Sequence, residues 1–232
     1  MPAAVITGAS RGLGRALALA LADRGWDLVV DSRSQSQISS VGAELESRGA
    51  ASVAALAGSV ADRAHRDALL RATDGLDGLD LLVNNASLLG PSPQPRLADY
   101  PVDVLAEVYA VNVLAPLALI QILLPRLQGG VIVNVTSDAA VEAHDGWGGY
   151  GSSKAALDQL SAVQAIEEPT VRVYAFDPGD MRTRMHQEAL PGEDISDRPA
   201  PETVVPQMLR LLDEPFPSGR YRAAGLRTGT VV

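Results

Sequence analysis

The segment Tyr150-Gly151-Ser152-Ser153-Lys154 places a phenol and an ammonium four positions apart. On a helix that spacing stacks the two side chains on one face. A free phenol titrates near about 10, so exchanging a proton near neutrality asks for roughly 4 kcal/mol of preferential phenolate stabilisation. An ammonium one turn away supplies charge of the right sign. Thirteen residues earlier, Ser137 closes an aliphatic run and can bring a hydroxyl to the same edge. Lys154 is the only lysine of the chain, 18 of the 19 basic residues being arginine. Arginine substitutes poorly where a compact ammonium is needed, because a guanidinium is planar and larger.

A second segment with chemistry in it is Thr7-Gly8-Ala9-Ser10-Arg11-Gly12-Leu13-Gly14, which joins an aliphatic run to a helical pattern. Glycines there permit a tight turn and close approach of a pyrophosphate, while the helix N-terminus offers free N–H groups and partial positive charge. Two other readings compete with a phosphate cradle. One is a sharp strand-to-helix turn without a ligand. The other is a G-x-S-x-G nucleophile elbow with Ser10 as nucleophile and His144 or His186 as base. The elbow reading is disfavoured because this turn follows the first strand, before a sheet or oxyanion loop has been built.

These segments need elements to hold them. Short aliphatic runs alternate with helical patterns, the mark of repeated strand-helix units around a parallel sheet. Strands are expected at Ala3–Thr7, Asp27–Asp31, Ser52–Leu56, Leu79–Asn84, Val131–Thr136, Val171–Phe176 and Arg220–Ala224. Helices are expected at Gly12–Arg24, Ser39–Arg48, Asp62–Thr73, Val102–Leu127, Tyr150–Glu167 and Glu202–Leu212. This predicts an α/β three-layer sandwich, a central parallel sheet of about seven strands with helices on both faces, in a single domain over residues 1–232. The loops Ser87–Pro101, Ser137–Gly149 and Asp177–Pro201 all follow strands, so they gather at the carboxyl edge, where ligands bind.

Composition excludes several classes. With 19 Lys+Arg against 28 Asp+Glu the formal charge is −9, and an acidic chain of this kind offers no basic stripe for nucleic acid. The absence of cysteine removes disulfides, thiolate metal sites and a cysteine nucleophile, and no metal site is expected. His65 sits in a polar helix and reads as a surface residue; His144 and His186 lie in loops. Val108–Pro125 carries no charge over 18 residues, but Asn112, Pro116 and Gln121 interrupt it, and it reads as a buried helix or subunit-packing face rather than a membrane span. No basic leader precedes the first strand, so a cytoplasmic location is expected.

Taken together, the sequence resembles the short-chain dehydrogenase/reductases. The resemblance rests on the T-G-x-x-x-G-x-G spacing of Thr7 to Gly14, on Asn84-Asn85-Ala86, Asn112, Ser137, Tyr150 with Lys154, and Pro178-Gly179 followed by Thr183. It implies a Rossmann-like fold and an oxidoreductase whose catalytic residues are Asn112, Ser137, Tyr150 and Lys154. Tyr150 would be general acid or base, Lys154 would tune it and bond the nicotinamide ribose, Ser137 would polarise the substrate oxygen, and Asn112 would position a water by bending its helix. The cofactor would meet Gly8, Ser10, Arg11, Gly12, Leu13 and Gly14 at the turn, and Ser32 and Arg33 after the second strand. Ser59, Val60, Asn85 and Ala86 would border its adenosine, and Tyr150, Lys154, Pro178, Gly179, Met181 and Thr183 its nicotinamide half. The chain departs from the family in having Ser59 for an aspartate, Ser87 for a glycine, and Pro169 soon after the catalytic helix.

Ser32 occupies the position where NAD-dependent members carry an acid, and Arg33 follows it, with Arg11 as a second cation. A guanidinium forks well onto phosphate, so NADP(H) is favoured over NAD(H). Asp31 is the counter-indication, unless it caps the strand end. The expected function is therefore NADP(H)-dependent reduction of a small-molecule carbonyl to an alcohol, or the reverse. The alternatives are an NAD-dependent alcohol dehydrogenase and a non-catalytic nucleotide-binding regulator on the same scaffold. A homodimer or homotetramer is expected.

Overall fold

The computed structural model of the chain describes residues 1–127 and 129–226. Seven strands make one sheet: β1 (Ala3–Ile6), β2 (Asp27–Ser32), β3 (Ser52–Ala57), β4 (Leu81–Asn84), β5 (Val131–Val135), β6 (Arg172–Asp177) and β7 (Gly219–Arg222). Their order is β3-β2-β1-β4-β5-β6-β7, and every pairing is parallel. The chain builds outward from β1 in one direction and then, from β4, in the other. That reversal opens a crevice at the carboxyl ends of β1 and β4, where an open α/β sheet binds its ligand. Strands covered on both faces must be apolar on both, and β1, β4 and β5 are buried at every position.

The α-helices of the described residues are α1 (Gly12–Ala22), α2 (Gln35–Arg48), α3 (Arg63–Arg71), α4 (Val102–Tyr109), α5 (Ala115–Leu123), α6 (Gly148–Glu167), α7 (Arg184–Ala189), α8 (Val205–Asp213) and α9 (Ala223–Leu226). Alternation along the strands divides the core in two. Ile6, Val30 and Phe176 pack with Leu17 of α1, Ile38 of α2 and Met208 of α8. On the other face Val5, Leu82 and Ile132 pack with Leu69 of α3 and with Leu119 and Leu123 of α5. The expected three layers are present, and each expected strand lies within two residues of its observed ends.

The helices differ more. The long helix expected at Val102–Leu127 is α4, a π-turn at Ala110–Leu114, α5 and a 3-10 turn at Leu124–Arg126. By length and composition Val102–Arg126 could cross a membrane. Here Ala115, Leu119, Ile120 and Leu123 instead form part of the core beneath the sheet. The segment expected to be unpatterned between Asp177 and Pro201 contains α7, which Thr183 caps by accepting the His186 N–H at 3.2 Å.

His65 is not at the surface. Its ring is buried with Nε2 2.8 Å from Asp31 Oδ2, while Asp31 Oδ1 accepts the Gly8 N–H at 2.7 Å. A polar helix misleads at this position because a buried imidazole is acceptable once hydrogen-bonded. Gly58 makes the room: a Cβ there would lie 2.1 Å from His65 Nδ1. Gly58→Ala should therefore cost about 1–3 kcal/mol in urea unfolding. Most of that cost should vanish in a His65→Ala background; an equal cost in both backgrounds would show that the ring is not what fills the space.

Candidate active site

The carboxyl ends of β1, β2, β4, β5 and β6 open on one cleft of about 880 Å³. Every residue expected at the site lines it except Gly14 and Asn112. The glycine turn is fastened to the end of β4. Thr7 Oγ1 accepts the N–H groups of Asn85 and Ala86, each at 3.0 Å, and Asn85 Nδ2 donates to the carbonyls of Thr7 and Gly8. Gly8 has φ +66°, and a Cβ on it would come 2.8 Å from the Ala86 backbone. Gly14 serves packing: a Cβ there would lie 2.5 Å from Asn85 Nδ2, so this glycine lets α1 approach the fastening amide.

Two guanidiniums face the cleft unengaged. Arg11 and Arg33 line it, and their side chains have no ion-pair or hydrogen-bond partner among the described residues, whereas neighbouring Arg15 is held by Glu44 at 2.6 Å. Asp31 also borders the cleft, but it is 1% exposed and its two oxygens are taken by Gly8 and His65. Its role is the strand-end cap.

At the other end stand Tyr150, in the first turn of α6, and Lys154 one turn on, 8% and 2% exposed. Lys154 Nζ donates to the Val135 carbonyl at 2.8 Å and lies 5.5 Å from the Tyr150 ring centroid. The helix comes this close to the turn after β5 because Gly151 has no side chain; a Cβ there would sit 2.6 Å from the Ala139 carbonyl oxygen. Ser137 continues β5 in extended conformation and caps a 3-10 turn at Asp138–Ala140, its Oγ donating to Asp138 Oδ1 at 2.8 Å.

Asn112 lies behind the cleft, fully buried in the π-turn. Its Nδ2 donates to the Leu88 carbonyl and to Ser153 Oγ, and its Oδ1 accepts the Leu88 N–H and the Ser87 hydroxyl. Ser153 in turn donates to the Tyr150 carbonyl at 2.6 Å. The side chain thus ties the loop after β4 to the helix that carries Tyr150.

Burial governs both titrating groups. It pushes the Tyr150 phenol up to about 12, against a hydrogen bond with Ser87 and with Asp138 and Asp177 adding to the rise. It pulls Lys154 down to about 8, with Asp158 acting in the opposite sense. A phenol lowered toward neutrality is therefore not what these residues produce on their own; they hold Tyr150 protonated. Ser87 was visible in the sequence only as a hydroxyl replacing a glycine, and its position beside Tyr150 depends on the fold.

Leu89 and Ala139 pack with Tyr150, and Trp147, Met185 and Ala189 close around them. Trp147 meets Tyr150 edge-on at 6.0 Å between ring centroids. His186 lines the cleft, its Nε2 buried without a partner among the described residues. His144 does not; with Ala139–Gly146 it borders a second cavity of about 560 Å³, and of the segment 139–147 only Trp147 lines the main cleft.

The chain is similar to known proteins. The family model described as short chain dehydrogenase matches residues 2–194. An uncharacterized oxidoreductase of Mycobacterium tuberculosis is 33% identical over 223 residues, covering 91% of this chain and 80% of that one. Sepiapterin reductase of Mus musculus is 37% identical over 203 residues, covering 80% and 76%. A short chain dehydrogenase of Shigella flexneri, solved in complex with NADP, superposes with a TM-score of 0.90 at 26% identity over 96% of this chain and 97% of that one.

The single lysine makes its own ionisation measurable. An amine-selective acylating reagent attacks only the unprotonated amine, so the rate at Lys154, followed by peptide mass mapping, should rise through a midpoint near the value of about 8 given above. A midpoint above 10 would mean that burial does not control this ammonium.

Proposed function

The chain belongs to the short-chain dehydrogenase family and is an NAD(P)-dependent oxidoreductase, and from that premise we propose that it is an NADP(H)-dependent reductase of carbonyl compounds with Tyr150 as proton donor. One observation carries this: a buried phenol stands beside a buried ammonium at the end of a cleft bordered by two unengaged guanidiniums, and burial favours the protonated phenol. A protonated phenol is a general acid, the role that carbonyl reduction requires.

The residues present suit NADP(H). Arg11 and Arg33 would hold a 2′-phosphate, and Asp31, the carboxylate that could instead take ribose hydroxyls, is already engaged. The turn Gly8–Gly14 and the N-terminus of α1 would receive the pyrophosphate, with Ser32, Ser59, Val60, Asn85 and Ala86 at the adenosine side. Lys154, Pro178, Gly179, Met181 and Thr183 would meet the nicotinamide half. When bound, NADPH supplies the hydride. Ser137 then polarises the carbonyl oxygen, giving up its bond to Asp138 to do so, and Tyr150 delivers a proton to that oxygen. The phenolate left behind is stabilised by the Lys154 ammonium. Asn112 keeps the loop at Ser87–Leu88 and the first turn of α6 in register throughout. Leu89, Trp147, Met185 and Ala189 fit a substrate with an apolar group beside its carbonyl. The name of the mouse relative agrees with the reductive direction.

The same reading takes residues 1–232 as one domain acting in the cytoplasm as a homodimer or homotetramer. Support for assembly is the set of exposed apolar side chains Val102, Leu114, Val163 and Ile166.

A screen of carbonyl compounds against NADPH should show turnover, and Tyr150→Phe should lower kcat by about 10²- to 10⁴-fold. Lys154 must be protonated to stabilise the phenolate. The reductive kcat/KM should accordingly be level at lower pH and fall tenfold per pH unit above the Lys154 value of about 8. A level profile through pH 10, or full activity in Tyr150→Phe, would refute the assignment. Arg33→Asp should raise the NADPH KM far more than the NADH KM; equal effects would remove the case for NADP(H).

A further inference from the structure

We propose that Arg220, on the outermost strand β7, is a positioning residue of the active site that fixes Ser137 and balances the carboxylates behind Lys154. This rests on the reading of Ser137, Tyr150 and Lys154 as the reacting groups. Arg220 pairs in register with Ala175 of β6, and its side chain reaches the catalytic edge. There Nη2 donates to the Ser137 carbonyl at 2.9 Å and to Asp177 Oδ2 at 3.2 Å, and Nε donates to Asp158 Oδ2 at 2.9 Å. One guanidinium thus joins the end of β5, the end of β6 and helix α6.

The bond to Ser137 matters because of where the ladder stops. Thr136 makes the last sheet bond of this segment, its N–H donating to the Phe176 carbonyl at 2.9 Å. On either side of it, the Val135 carbonyl is taken by Lys154 and the Ser137 carbonyl by Arg220. Two cations from different elements therefore hold alternate carbonyls of one extended segment. Beyond Ser137 the chain turns into the 3-10 helix, so Arg220 secures the peptide from which the Ser137 hydroxyl projects.

The charges around the ammonium point the same way. Asp158 stands one turn after Lys154 on α6, with its Oδ1 buried and unpartnered among the described residues. From the ends of β5 and β6 come Asp138 and Asp177, and the π-turn contributes the uncharged Asn112. From β7 come Arg220 and Arg222, the latter with Nε 3.2 Å from Asp177 and its other end toward Glu142. Among the described residues only Arg220 pairs with Asp158. Meeting Asp158, Asp177 and a carbonyl together suits a planar fork and not a single ammonium.

The test measures the Lys154 acylation midpoint, kcat and KM for Arg220→Gln, Arg220→Lys and Asp158→Asn, with Tyr150→Phe as control. Arg220→Gln leaves Asp158 without a cation and Asp177 with Arg222 alone. It should move the Lys154 midpoint up by about one pH unit and lower kcat about ten- to a hundredfold, with KM changing less. Arg220→Lys should restore the midpoint but only part of kcat. Asp158→Asn should move the midpoint down. A docking role for β7 alone would lower unfolding stability without moving the midpoint. A folded Arg220→Gln with both midpoint and kcat unchanged overturns the inference. If Arg220→Gln does not fold, a wild-type kcat in Arg220→Lys or an unmoved midpoint in Asp158→Asn overturns it. Normal turnover in Tyr150→Phe would instead remove the reading of the reacting groups, and the acylation midpoints would still report on Arg220.

Discussion

The ammonium of Lys154 is almost entirely out of water, and a charge so placed is tolerated only where oxygen atoms and opposite charges surround it. Val135 offers the carbonyl and Asp158 the nearby carboxylate. Reaching the carbonyl brings the start of α6 across the end of β5, and three glycines there have no space for a side chain. A Cβ on Gly148 would press into the Leu97 side chain, one on Gly149 into the Tyr100 ring, and one on Gly151 into the Ala139 carbonyl. The glycines of the first helical turn, the 3-10 turn after Ser137 and the buried amide of Asn112 all follow from bringing one cation to one strand end.

At the opposite end of the cleft the same logic is applied to an anion. Asp31 is buried under the glycine turn, held by the Gly8 N–H and by His65, and so is withdrawn from the space it borders. With that carboxylate engaged, Arg11 and Arg33 set the local field. A chain of formal charge −9 thus presents a cationic recess, because net charge is a sum over the surface and binding responds to the few charges that share a cleft.

Much of this was legible in the residues. Aliphatic runs alternating with helical patterns mark the seven strands, and the four-residue interval between Tyr150 and Lys154 puts the pair on one helix face. Those signals are local. What escaped depends on residues far apart in the chain: His65 meets Asp31 across 34 positions and Arg220 meets Ser137 across 83. A polar pattern points His65 to solvent because helical periodicity carries no record of Gly58, just after β3, which admits its ring. The position of α7 was hidden for a different reason, since a six-residue helix is shorter than the window over which periodicity can be recognised. The loop Ser137–Gly149, expected at the ligand-binding edge, meets the main cleft at Ser137, Asp138 and Trp147, because the turn at Asp138–Ala140 carries most of the rest to a neighbouring cavity.

The π-turn at Ala110–Leu114 separates α4 from α5 without ending the rod they share. Widening one turn delays the winding by roughly one residue, or about 100° of azimuth. The side chains before it and after it are therefore indexed to different directions. Within that dislocation Asn112 is aligned with the catalytic helix, and beyond it Leu119 and Leu123 are aligned with the sheet. An unbroken α-helix has a single stripe and could satisfy one neighbour only. The phase slip lets a single span serve as both a structural strut and the backing plate of the site.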